Sequence, residues 1–85
     1  MPRVGQTLTI YGRGFCSASP CSKVVLTIDK RWVTKAIRPL HGTFARRVRI
    51  TQAPGPHMIR ASQRGPDGRL IQFGLRIVFG PSGRE

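Results

Sequence analysis

Apolar and polar residues alternate with a period of two along most of this chain, and no longer stretch carries apolar residues at helical spacing. In VGQTLTIYG, Val4, Leu8 and Ile10 share one face, with Thr7 and Thr9 on the other. In KVVLTID, Val24, Leu26 and Ile28 point one way and Val25 and Thr27 the other. WVTKAI is a third β-prone run, joined to the second by a tight turn at Asp29-Lys30-Arg31. PLHG then turns the chain into TFARRVRI, where Phe44, Val48 and Ile50 alternate with Ala45, Arg47 and Arg49. Arg46 falls in the apolar phase, which predicts a strand end or a bulge there.

APGP breaks the pattern before HMIRASQ, where Ile59 and Ala61 are in phase, and RGPDGR is a further turn. The last run, LIQFGLRIVF, is the longest: Ile71, Phe73, Leu75, Ile77 and Phe79 form one apolar face, and Gly74 marks an expected bulge or kink. Six or seven short strands at roughly ten-residue spacing, with Gly/Pro turns between them, predict an all-β, antiparallel β-sandwich without significant helix. A small open barrel of the OB type is the rival architecture, disfavoured because OB folds usually carry a helix between strands. One domain spans 1–80, and residues 81–85 read as a C-terminal tail.

Length and charge sharpen this picture. A chain of 85 residues buries only about 60–65% of its unfolded surface, so a disulfide or a subunit contact would help to hold it. No signal peptide is expected in MPRVGQTLTI, and no apolar run is long enough to span a bilayer. Fifteen Lys+Arg face three Asp+Glu, for a formal net charge of +12. The acids, Asp29, Asp67 and Glu85, sit beside turns or at the terminus, so most cations lack a partner within the chain. Such a surface attracts polyanions or acidic proteins. Arginine outnumbers lysine twelve to three. A GC-rich coding sequence produces that bias, and planar guanidinium groups also suit carboxylate and phosphate contacts.

Candidate chemistry is sparse. Cys16 and Cys21 have the wrong spacing for a zinc half-site or a redox Cys-x-x-Cys, and no second ligand pair completes a metal site. A short-range disulfide across CSASPC fits best, with free thiols and a metal site as the alternatives. His41 and His57 lie in or beside turns and have no carboxylate nearby in sequence. Paired carboxylates for acid–base catalysis have almost no raw material, GRGF lacks the features of a phosphate loop, and no G-x-S-x-G is present. The chain is not expected to be an enzyme, and no cofactor or metal is expected.

GQTLTIYGRGF, VVLTID, HGTFARRVRI, APGPHMIRA and a final strand, in that order, resemble the bacterial and phage immunoglobulin-like domains close to the IPT/TIG group. The resemblance covers nearly the whole chain and implies an Ig-like sandwich. It also implies that Gly12 and Gly14 let the first strand bend before Phe15, that Gly42 and Phe44 open a middle strand, and that Pro54, Gly55 and His57 lead into the strand of Ile59. The turn at residues 29–31 and the arginine load on the strands depart from the family pattern. Domains of this group generally serve as spacers, adhesion modules and decorations on cell-surface and phage proteins.

The arginines carry the functional expectation. Arg47 and Arg49, and likewise Arg60 and Arg76, lie opposite the apolar faces of their strands. If those strands are neighbours they form one basic patch, with Lys35, Arg38 and Arg64 at its margin. Tyr11 and Trp32 are candidate surface aromatics, although a core role is favoured for Trp32 because a β-sandwich often buries one tryptophan. The expected function is a non-enzymatic structural or interaction subunit docking on an acidic protein surface of a larger assembly, such as a virion decoration or surface-layer accessory. The long last strand could pair with neighbouring subunits, and a homo-oligomer is compatible with this reading. The alternatives are a sequence-independent nucleic-acid or polyanion binder and a repeat of an adhesin recognising anionic glycans. A disulfide implies an oxidising setting, extracellular or on a virion surface. The chain would then be a fragment or mature form of a secreted protein, or a complete short protein that oxidises after release, the last being favoured.

Overall fold

The alternation resolves into antiparallel strands. A computed structural model describes residues 1–82, so the last three residues of the expected 81–85 tail, Glu85 among them, lie outside the described residues. The strands are β1 (Thr7–Gly12), β2 (Val25–Ile28), β3 (Arg31–Trp32), β4 (Phe44–Arg49), β5 (Gly55–Arg64) and β6 (Leu70–Phe79). β1 and β4 form a two-stranded sheet, and the other four form a sheet in the order β3-β2-β5-β6. Among the described residues there is no helix. The chain is the all-β sandwich that its periodicity predicts.

The inward positions meet between the sheets, because successive strand residues alternate faces and each sheet must cover one of them. Phe15, Val24, Leu26, Ile37, Phe44 and Ala61 pack one end of the core, and Ile28, Ile50, Ile59 and Phe79 the other. Leu8 and Val33 close over the second cluster, while Ile10 and Val33 touch the first.

Two tight turns set the strand crossings. Asp29 (φ 52°) and Lys30 (φ 72°) form the two-residue link between Ile28 and its partner Arg31. Paired positive φ values give the turn the twist that antiparallel strands require. Arg31 therefore belongs to β3 and not to the turn, and β3 ends at Trp32 instead of running through WVTKAI. The chain beyond it crosses toward the smaller sheet, and on the way Ile37 exchanges backbone bonds with Val24 (2.6 and 2.8 Å). His41 (φ 53°) and Gly42 (φ 78°) make a second turn of this kind between Leu40 and Thr43.

Cys16 and Cys21 form a disulfide with their Cα atoms 6.0 Å apart, and no free cysteine remains among the described residues. Closing so short a loop stabilises by about 2 kcal/mol in the chain-entropy model. A buried polar residue fastens the same loop to the core. Gln63 is 2% exposed on β5, in phase with Ile59 and Ala61. Its Oε1 accepts from the Cys16 N–H (2.9 Å), and its Nε2 donates to the carbonyls of Cys16 (2.6 Å) and Ser22 (2.8 Å). A buried amide with all these partners is an anchor and not a burden.

Four sequence expectations are corrected here. Phe73 and Leu75 share a face with buried Phe79 yet are 52% and 61% exposed, because a sheet only two strands wide does not reach over β6. Gly74 makes no bulge: β5 and β6 pair without interruption from Gly55–Phe79 to Arg64–Leu70. Arg46 sits mid-strand, opposite Ile10, with its side chain half-buried and Nη1 donating to Thr34 Oγ1 (3.3 Å). Trp32 is no core plug. It pairs with Thr27 on the outer face of the larger sheet and is 63% exposed, since β3 is a short edge strand with nothing above it.

The N-terminal segment links the two sheets. Gly80 donates to the Pro2 carbonyl (2.7 Å) and accepts from the Val4 N–H (3.1 Å), in a parallel bridge beside the end of β6. The chain then crosses at Gly5, whose N–H donates to Ile50 O (2.8 Å), and enters β1.

Candidate interaction surfaces

The arginines expected to form one patch divide between the two outer faces. Arg47 and Arg49 project from β4 beside Thr9 and Thr7, on the outside of the smaller sheet. Arg60 and Arg76 lie outside the larger sheet, where Thr27, Arg60 and Gly74 form one cross-strand row and Met58 and Arg76 the next. Strand phase specifies inside or outside, but β4 and β5 belong to different sheets, so the two pairs point in opposite directions. Arg64 is exposed at the end of β5, with Nη1 donating to Gly68 O (3.2 Å). Lys35 and Arg38 are exposed in the connection that runs from β3 to β4. Among the described residues the only Lys or Arg in an ion pair is Arg69, held by Asp67 at 3.3 Å on the surface.

Two hollows collect what the faces separate. The first, of about 640 Å³, lies at one end of the sandwich and is lined by residues of both sheets, including Arg31, Trp32, Arg49 and His57. It brings Arg49 together with Trp32 and with Arg31. The second is a narrower apolar groove of about 220 Å³ between β1 and β6, lined by Leu8, Ile10, Phe73, Leu75 and Ile77 among others. Tyr11, 79% exposed, stands at its rim.

His57 belongs to a local network. Its Nδ1 bonds the Asp29 carboxylate, its Nε2 faces Ala53 O (2.6 Å), and its ring stacks on Phe79 with centroids 5.0 Å apart. Asp29 also accepts from the Met58 N–H (3.0 Å). Two acceptors on one imidazole call for two N–H donors, so the cation is favoured. The Asp29 hydrogen bond, with the Ala53 carbonyl second, raises the His57 pKa above its ordinary 6.5. The bond to His57, then that to the Met58 amide, lowers the Asp29 pKa below 3.8. The His57 contribution to stability is complete below pH 6.5 and is lost as pH rises through the elevated value. The Asp29 contribution is present above pH 3.8 and is lost as pH falls through the depressed value. An NMR titration of the His57 ring should give a pKa above 6.5 in the intact chain, and Asp29→Asn should bring it down. An unchanged midpoint in that variant would remove Asp29 as the cause.

This arrangement holds a turn in place: His57 bonds Asp29 and faces Ala53 O, and among the described residues no group of three or more His, Cys, Asp or Glu side chains is placed to hold a metal ion. Sequence reasoning missed the Asp29–His57 pair, whose members are 28 residues apart, and it missed Gln63. The signal for Gln63 was available, since it extends the Ile59–Ala61 phase by one step. Among the described residues no helix is long and apolar enough to cross a membrane. Compared with protein-family models, curated proteins and solved structures, the chain matches none of them.

Proposed function

We propose that the chain is a non-enzymatic interaction subunit, an Ig-like domain similar to the IPT/TIG group, that docks on an acidic protein surface of a larger assembly such as a virion or a surface layer. The observation that carries this reading is the mixture of unneutralised guanidinium groups with exposed aliphatic side chains, Leu40, Leu70, Leu75 and Val78. Arginine beside apolar contact area is the chemistry of protein interfaces, whereas aliphatic groups offer nothing for a base to stack on. The disulfide agrees with an extracellular or virion-surface location.

One observation favours a second reading, a sequence-independent binder of single-stranded nucleic acid. Exposed Trp32 shares a hollow with Arg31 and Arg49, which combines a stacking surface with phosphate-binding cations. The two readings separate at about 150 mM salt, where long-range charge attraction is largely screened. A random Glu/Leu copolymer should remain bound, because its apolar contacts do not depend on salt, and a single-stranded DNA oligonucleotide should be released. Arg60→Glu with Arg76→Glu, on the same sheet as exposed Leu70, Leu75 and Val78, should weaken copolymer binding with little change in melting temperature. DNA binding that outlasts copolymer binding would transfer the assignment to the second reading.

A further inference from the structure

The outer edge of β6 is unpaired along most of its length. The direction of its backbone groups follows from two bonds elsewhere. The Asp29 N–H donates to Met58 O (3.0 Å), so Met58 turns its backbone polar groups toward β2. Its cross-strand partner Arg76 then turns its own N–H and C=O away from β5, as do the residues two apart along β6. Gly80 agrees, because its N–H and C=O reach outward to Pro2 and Val4. Leu70, Gln72, Gly74, Arg76 and Val78 therefore present backbone donors and acceptors at an open edge. Protein edges are usually protected by charges, proline or bulges. β6 has Arg76 as its one charge, no proline and an unbroken register.

Each face of this edge specifies a different side chain. The inward face opens on the apolar groove between Leu8 and Ile10 of β1 and Phe73, Leu75 and Ile77 of β6. On the outward face Gly74 has no side chain, and Met58 and Arg60 flank that space, with Met58 Sδ 3.5 Å and Arg60 Cγ 3.9 Å from where a Cβ would stand. Arg60 and Arg76 thus flank one stretch of the edge. A second copy of the chain would bring its own Arg60, Arg76 and a further +12 to the same place.

We infer that the β6 edge and the β1–β6 groove together accept an extended strand of the acidic partner, in which acidic residues alternate with apolar ones. The apolar residues enter the groove beside Phe73 and Leu75, and the acidic ones meet Arg60 and Arg76. Main-chain bonds supply affinity, and the two faces supply selectivity. This rests on the acidic-protein reading above and adds the mode of docking.

The test uses a decapeptide alternating Glu and Val and a second peptide of the same composition with its five Glu and five Val in separate blocks. The alternating peptide should bind roughly tenfold tighter or better, and its binding should protect the Gln72, Gly74 and Arg76 amides from hydrogen exchange. Gln72→Pro removes one outward N–H without touching the β5–β6 ladder, so it should abolish this preference. Equal binding of the two peptides, or no new protection at those amides in the unmodified chain, would overturn strand addition. The acidic-protein reading would survive if the Glu/Leu copolymer still outlasted DNA, and both would fall if only DNA bound. A dimer in sedimentation that Gln72→Pro dissociates would instead assign the edge to a second copy.

Discussion

Replacing Gln63 with leucine is expected to cost about 3 kcal/mol, which in a domain of this size lowers the melting temperature by roughly 12–24 °C. The two side chains are similar in bulk, so packing changes little. What changes is the accounting of polar groups: the Cys16 N–H, Cys16 C=O and Ser22 C=O each lose a partner. Each orphaned backbone group costs about 1–3 kcal/mol when water cannot replace the lost bond, and the part-buried setting of these bonds places the total near the lower end. Thermal unfolding of the variant measures this. Amide exchange should accelerate first in residues 16–22, because Gln63 supplies three of the bonds that tie that loop to β5, beside the two between Ser22 and Arg64. A loss below about 1 kcal/mol would mean that the disulfide, the Ser22–Arg64 bonds and the Ser17–Gly42 bond hold the loop without Gln63.

The second large effect is expected at Gly12. Gly12 stands opposite Phe44, and a Cβ on it would lie 2.1 Å from Phe44 Cε2. That ring cannot simply yield, since it is buried against Phe15 with centroids 5.4 Å apart. Gly12→Ala should therefore destabilise by about 1–3 kcal/mol, the usual cost of overpacking. Gly74→Ala is the matched control: its Cβ would meet Met58 Sδ at an ordinary 3.5 Å, and its effect should stay within roughly 0.5 kcal/mol. Adding Phe44→Leu to Gly12→Ala should recover part of the loss, because the clash requires the ring. Additive losses in that double variant would show that the ring is not the obstacle.

These two residues also mark how far the sequence could be read. Val24, Leu26 and Ile28 were legible because the larger sheet is covered over β2, so alternation and burial coincide. Phe73 and Leu75 have the same alternation, but periodicity reports which residues share a face and not whether another sheet lies above it. The arginines failed in a related way: phase placed each outside, yet only strand order separates β4 from β5 and β6. Gln63 continues the buried phase of Ile59 and Ala61, but its reason for burial lies in Cys16 and Ser22, more than forty residues away. The disulfide was legible because its geometry is local, with a separation of five residues. The expected resemblance to Ig-like domains rests on glycine and proline punctuation, which marks turns well and binding surfaces hardly at all.

The parallel bridge between residues 2–4 and Gly80 has a mechanical consequence. Tension applied to the chain ahead of Pro2 and beyond Gly80 pulls the two parallel segments along their shared axis in opposite directions. The Gly80 bonds to Pro2 and Val4 are then loaded together, in shear, and cannot be peeled apart one at a time. Behind them the ten-pair ladder of β5 and β6 is stressed along the same direction. The end of the domain that joins the two sheets thus meets such a load in shear.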